Sequence, residues 1–260
     1  MASLGSAKAI NVKISAATGL LLIALASGFA CAQDYEREKR WADEITPGVV
    51  VGEALRIKTA SGRDFLALHA EGKPGVPAIV LAHGVGVHPD HSISGILRAS
   101  LNDLGYTTTS IQLPVQDKNA QVDDYFPKVF PDAAERMATA AQWLRGRGHS
   151  NIILLSHSMG AWMANVYFDQ SHETTPYRAW VVMGLTGGYS WGMRRYALPI
   201  LDVYGEADLT PVLGAAGRRK FALKDGNGSR QVMLAGADHF YAGREKELAA
   251  AIDAFLKGLK

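Results

Sequence analysis

The spacing of apolar positions changes character along this chain, and the changes predict the elements. From Asp34 to Glu44 the sequence is polar and charge-rich, and no element is assigned to it. VVVGEALRIKT and DFLALHA follow, separated by the turn-like ASGR, which predicts an antiparallel hairpin. From Val76 onward, short apolar runs alternate with helical spacing. PAIVLAH reads as a strand buried on both faces. Ile93, Ile96, Leu97, Leu101 and Leu104 then fall on one helical face, with Gly105 as the stop. TTTSIQL is the next strand, and Ala134, Met137, Ala138, Ala141 and Leu144 trace a second helix closed by Gly146. NIILL, AWVVMGL, PILDVYG and RQVMLAG add four strands, and Leu248, Ile252, Phe255, Leu256 and Leu259 mark a C-terminal helix. The alternation predicts an α/β fold: a mostly parallel central sheet, helices on both faces, and an antiparallel hairpin at its start. With no repeat or linker in view, residues 33–260 read as a single domain.

Residues 1–32 do not belong to this pattern. Lys8 and Lys13 precede an uncharged stretch from Ile14 to Ala32 that ends in Ala30-Cys31-Ala32. A basic start, an apolar middle and a small-x-small end predict a secretory signal peptide cleaved before Gln33, and a periplasmic or secreted bacterial protein. An uncleaved anchor is the alternative that would bring a membrane partner, as would lipidation at Cys31, although Gly28 stands where lipoproteins usually carry a leucine-like residue. Cleavage removes the only cysteine, so no disulfide is expected. The net charge of +2 gives no electrostatic reason to expect a nucleic-acid partner.

The strand NIILL runs into SHSMG and then into a helix. Reactive groups of a parallel sheet collect at the carboxyl ends of its strands. A serine on the sharp strand-to-helix turn of G-x-S-x-G is exposed there, provided that small residues flank it. Ser158 is the central serine, Gly160 keeps the second glycine, and Ser156 replaces the first. The N–H of Met159 would then face a developing oxyanion. A serine needs a base, and the base needs an orienting acid. PILDVYG leads into Glu206-Ala207-Asp208 and RQVMLAG into Ala237-Asp238-His239. The order Ser158, Asp208, His239 is that of a Ser-Asp-His triad built on successive strand ends. Glu206 is the alternative acid, and Asp238 is poorly placed to orient its neighbour.

With LAHGVG, SHSMG, YGEAD and GADHF in this order, the chain from about Val50 to Lys260 resembles the α/β-hydrolase superfamily. HGVGVHPD followed by GYTTTSIQLP also resembles a bacterial family of exported α/β-hydrolases known only as a domain of unknown function. The broader resemblance implies that the backbone N–H of Val85 is the second oxyanion donor. It implies a serine hydrolase acting on a small-molecule acyl substrate through an acyl-enzyme, most simply a carboxylester, with thioesters, amides and short peptides open. No cofactor is expected. The alternative is a non-catalytic scaffold or binding protein of the cell envelope with the same fold.

Several side chains remain. His83 is expected to bond within its loop, and His157 to point away from the site. His88 is a candidate for the pocket mouth, while His88-Pro89-Asp90-His91 lacks the spacing of a metal site, so no metal is expected. The stretch between Leu185 and Pro199 is too short for a lid domain. Tyr189 and Trp191 on it, with Tyr196, are expected to line an apolar rim, and Tyr125, Phe126 and Phe130 to reach the same mouth.

Overall fold

The computed structural model describes residues 33–170, 174–195 and 197–259. The expected signal segment with Cys31, and Tyr196, lie outside them. The chain begins with α1 (Tyr35–Ile45) and the hairpin β1 (Glu53–Lys58) and β2 (Asp64–Ala70). β3 (Ala78–Ala82), α2 (Ile93–Asp103), β4 (Thr107–Ile111), α3 (Val122–Tyr125) and α4 (Phe130–Gly146) follow. β5 (Ile152–His157), α5 (Met159–Asp169), β6 (Tyr177–Met183) and β7 (Ile200–Ala207) come next, then α6 (Thr210–Ala222), β8 (Arg230–Asp238) and α7 (Glu245–Lys257). One eight-stranded sheet results, in the order β1-β2-β4-β3-β5-β6-β7-β8. β2 pairs antiparallel with β1 and β4; every other pairing is parallel.

Successive residues of a strand face opposite sides, so each central strand feeds two cores. Val80, Leu154 and Trp180 meet α4 and α5 on one face. Ile79, Leu81, Leu155 and Val203 meet α2 and α7 on the other. The buried stripe of α2 is narrower than its periodicity predicts: Ile93, Leu97 and Leu101 are inside, while Ile96 and Leu104 are exposed. β4 is buried although it reads TTTSI, because each hydroxyl has a partner. Thr108 donates to the Arg98 carbonyl, Ser110 to the Pro89 carbonyl, Thr107 to Glu71, and Thr109 shares a hydrogen bond with His69.

The largest departure from the sequence reading is α1, which occupies the stretch left unassigned. Asp34 caps it by accepting the Arg37 N–H at 2.9 Å. Its inner face joins an apolar contact, Ala42 and Ile45 against Leu66 and Leu68, to an ion pair: Glu38 meets Arg136 of α4 at 2.9 Å, both side chains almost wholly buried. Among the described residues no helix is long and apolar enough to cross a membrane.

Candidate active site

Ser158 stands between β5 and α5 with φ 54° and ψ −119°, a left-handed backbone that a non-glycine residue adopts at a cost of roughly 1–3 kcal/mol. Its N–H is tied to the Met183 carbonyl at 2.9 Å. Gly160 is required: a Cβ there would lie 2.3 Å from the His83 carbonyl oxygen. At the place of the elbow's first glycine, the fully buried Ser156 accepts the indole N–H of Trp180 at 2.8 Å. Its hydroxyl fills and satisfies a slot that glycine would leave empty, which explains how the departure is accommodated.

His239 follows the end of β8 and Asp208 the end of β7, on neighbouring strands. Ser158 Oγ lies 2.8 Å from His239 Nε2, and His239 Nδ1 lies 2.6 Å from Asp208 Oδ1. The Asp208 carboxylate also accepts the Leu209 and Gly205 N–H groups at 2.8 and 3.1 Å. Burial pushes this carboxyl up, but the hydrogen bonds from His239 and Gly205 outweigh it and hold it below the usual carboxylate range. An ionised Asp208 makes Nδ1 the protonated nitrogen and leaves Nε2 free to accept the serine proton. Gly184, after β6, makes room for this ring: a Cβ there would sit 2.8 Å from His239 Cε1. Glu206 instead accepts the Gly236 N–H, and Asp238 those of Phe240 and Ala242.

The loop after β3 is organised by His83. Its Nε2 accepts the Leu113 N–H at 2.9 Å, so Nδ1 carries the proton and donates to the Gly84 carbonyl at 2.8 Å. Burial lowers this imidazole to about 3, so it is neutral. The Gly84 carbonyl and the Val85 N–H belong to one trans peptide and point in opposite directions. Holding the first therefore aims the second away from His83. Gly84 lies against Ser158, its Cβ position 3.5 Å from the serine Cβ. Met159 is the first residue of α5, so its N–H has no partner within the helix. Val85, Met159 and Ser158 line the same pocket.

That pocket encloses about 240 Å³. Val87, Ile93, Trp162, Leu209 and Phe240 supply much of its apolar wall, and no Lys, Arg, Asp or Glu is among the described lining residues. Trp162 stacks on Phe126 at 5.3 Å and meets Phe130 edge-on at 5.1 Å. Trp162 and Phe240 were not singled out from the sequence, although Trp162 lies one helical turn beyond Ser158, a spacing that places it beside the serine.

Four expectations need correction. His157 does not point away. It lines the pocket, its ring centroid 5.0 Å from that of His239, and its Nε2–H donates to the His239 carbonyl at 2.9 Å. The expectation that neighbours of the elbow serine face the packing side fails here, because the hydrogen bond to the His239 carbonyl holds this ring beside the site. Burial and the neighbouring His239 lower its pKa to about 4. His88 is not among the lining residues; its ring packs edge-on against Trp41 and His91, and His91 takes the place at the wall. Tyr189 turns inward, its ring 5.8 Å from Trp180 and its hydroxyl buried facing Asp202. Trp191 is exposed and is not among the described lining residues. The cause is a clamp: Arg219, paired with Asp202 at 2.9 Å where both are fully buried, donates to the Leu185 and Gly187 carbonyls and draws the segment after β6 onto the body. Tyr125 and Phe130 are likewise core residues, and Phe126 reaches the site only through Trp162.

No family model matches the chain, and no curated protein does. Solved structures do. An α/β serine hydrolase without a lid from Xanthomonas campestris is 16% identical, covering 80% of this chain and 95% of its own, with a TM-score of 0.61. The dienelactone hydrolase of Anabaena variabilis is 18% identical, covering 79% and 96%, with a TM-score of 0.64. Est1E of Butyrivibrio proteoclasticus, solved with ferulic acid bound, is 14% identical, covering 78% and 98%, with a TM-score of 0.60. With its mostly parallel sheet, its N-terminal hairpin and no lid domain among the described residues, this chain has the α/β-hydrolase fold.

Proposed function

We propose that this protein is an exported serine hydrolase that cleaves a carboxylester of a neutral, apolar acyl group. The observation that carries the reading is the hydrogen-bonded series Asp208, His239, Ser158 ending at the wall of an apolar pocket. Ser158 Oγ attacks the carbonyl carbon while His239 Nε2 takes its proton. The oxyanion forms against the N–H groups of Val85 and Met159. On collapse, the bond to the leaving oxygen breaks, His239 returns the proton to it, and an alcohol departs. Water then adds to the acyl-enzyme with His239 as base, and a second collapse frees the acid and Ser158. Asp208 holds the imidazole and stabilises its charged form.

The acyl class follows from the wall. A substrate carboxylate entering this pocket would lose its water without meeting a described Lys or Arg, at a high desolvation cost. Est1E binds an aromatic acid, so arylacyl esters belong in the screen. Export rests on the basic and apolar character of residues 1–32 and is read by the mass of the mature N-terminus.

The test is labelling of the purified protein with a fluorophosphonate, followed by p-nitrophenyl butyrate, hexanoate and benzoate beside the p-nitrophenyl monoester of glutaric acid. Labelling and turnover of the neutral esters are expected, with the glutarate monoester at least tenfold slower in kcat/KM. A folded protein that takes no label overturns the acyl-enzyme mechanism. Preference for the charged ester overturns the acyl class alone.

A further inference from the structure

Four carbonyls of the loop after β3 accept side-chain donors, that of Pro89 from the Ser110 hydroxyl. Gly84 accepts from His83, Val87 from Gln112 at 3.3 Å, and Gly86 from Arg37 of α1 at 3.0 Å. His83 and Gln112 stand just past the ends of β3 and β4, and Ser110 is on β4 itself. Arg37 comes from the N-terminal helix, which precedes the sheet in the chain. Its other nitrogen, Nη1, donates to the Gln116 carbonyl at 3.0 Å, and the guanidinium lies 4.5 Å over the Trp41 ring. It makes no ion pair with any described carboxylate, so this cation is committed to two backbone carbonyls on two loops.

α1 is a fixed base for that reach. Glu38 is locked to Arg136 and accepts the Val115 N–H, and the Asp34 N–H donates to the Val115 carbonyl at 2.7 Å. Gly86 has φ 65°, and with Gly84 it brackets Val85 in a stretch whose glycines permit many conformations. A single clamp at Gly84 fixes one peptide plane. A second, on the Gly86–Val87 peptide, pins the loop beyond the flexible Gly86 and limits how far Val85 and its N–H can drift.

We propose that Arg37 is a positioning residue for the oxyanion loop, so that the N-terminal helix sets the aim of the Val85 N–H toward the oxyanion formed at Ser158. The inference rests on the serine-hydrolase reading. An N–H that meets charge only in the transition state affects turnover more than substrate binding.

The experiment compares parent, Arg37→Met and Arg37→Lys as full mature chains, with active sites counted by fluorophosphonate titration. Turnover of p-nitrophenyl butyrate is expressed per titrated site, and inhibition by an alkyl trifluoromethyl ketone, which forms an oxyanion on the serine, is measured alongside. For Arg37→Met, kcat per site is expected to fall about tenfold, below the roughly 10²–10³ that loss of a whole donor costs. KM should stay within twofold, and the ketone's inhibition constant should rise by the same factor as kcat falls. Arg37→Lys, which keeps the stem and charge but cannot hold both carbonyls in one plane, should lie between. A merely structural role would lower the number of titratable sites and the melting temperature and leave kcat per site at the parental value, and that result overturns the proposal, for either variant. A parent that takes no label overturns the hydrolase reading and this inference with it.

Discussion

Ser158 and Ser92 share a backbone conformation, φ 54° and ψ −119° at the first, φ 48° and ψ −128° at the second. Each caps a helix without a side-chain capping bond, each is non-glycine at positive φ, and each lines the same pocket. They differ in what faces the hydroxyl. Ser158 Oγ has His239 Nε2 at 2.8 Å, whereas no hydrogen bond to the Ser92 hydroxyl occurs among the described residues. Strain lifts a side chain out of the chain's path, and that is all it does. Activation requires a base whose own orientation is fixed, and only one of the two corners has one.

The strongest way to break this comparison is to exchange the fates of the two serines. Ser158→Ala should abolish fluorophosphonate labelling and lower ester turnover by about 10⁴-fold or more, while Ser92→Ala keeps labelling and stays within twofold of the parent. Label found at Ser92 by peptide mass spectrometry would reverse the assignment. Next in size, Asp208→Asn should reduce kcat by about 10⁴-fold with the melting temperature little changed, since an amide favours the wrong tautomer of His239.

Stability sharpens the contrast further. Ser156→Ala leaves the buried Trp180 indole N–H without an acceptor and should cost about 1–3 kcal/mol in denaturant unfolding. Acid should act through His83 and His157, held neutral by burial at about 3 and about 4 against roughly 6.5 when unfolded. Between pH 6.5 and 5 the unfolded chain therefore binds protons that the folded chain does not. Stability should fall as pH drops, by up to about 1.4 kcal/mol per pH unit for each histidine. His157→Gln should remove about one proton from that slope; an unchanged slope would deny the buried neutral state. The smallest effect expected is at Ser92→Gly, where relief of strain and added unfolded-state entropy oppose each other. The melting temperature should move by no more than a few degrees, with kcat unaffected.

Much of this was legible because it is local. Two-residue alternation and short apolar runs mark the strands, and Ser158, Asp208 and His239 each follow a strand in an order that brings them to one end of the sheet. What escaped depends on partners far along the chain. α1 is dominated by charged residues, and between Tyr35 and Ala42 its buried position is Glu38, acceptable inside only because Arg136 of a distant helix meets it. Tyr189 reads as a rim residue because Asp202 and Arg219, which draw its segment inward, lie on later elements. The place of His157 depends on its hydrogen bond to the carbonyl of His239, 82 residues along the chain, which the rule that neighbours of the elbow serine face the packing side does not contain. Helical spacing could have found Trp162, four residues after the serine, had the helix been read for what lies beside Ser158 as well as for what lies beneath it.

The order of the sheet also has a consequence in time. Ser158 and His239 are 81 residues apart, and the histidine follows β8, an edge strand paired only with β7. A chain is made from its N-terminus, so β5 and α5 are synthesised before β8. The serine is therefore present in the growing chain before its base has been made. A chain cut short before β8 would keep Ser158 and lack His239, so on the proposed mechanism activity begins only when the last strand joins.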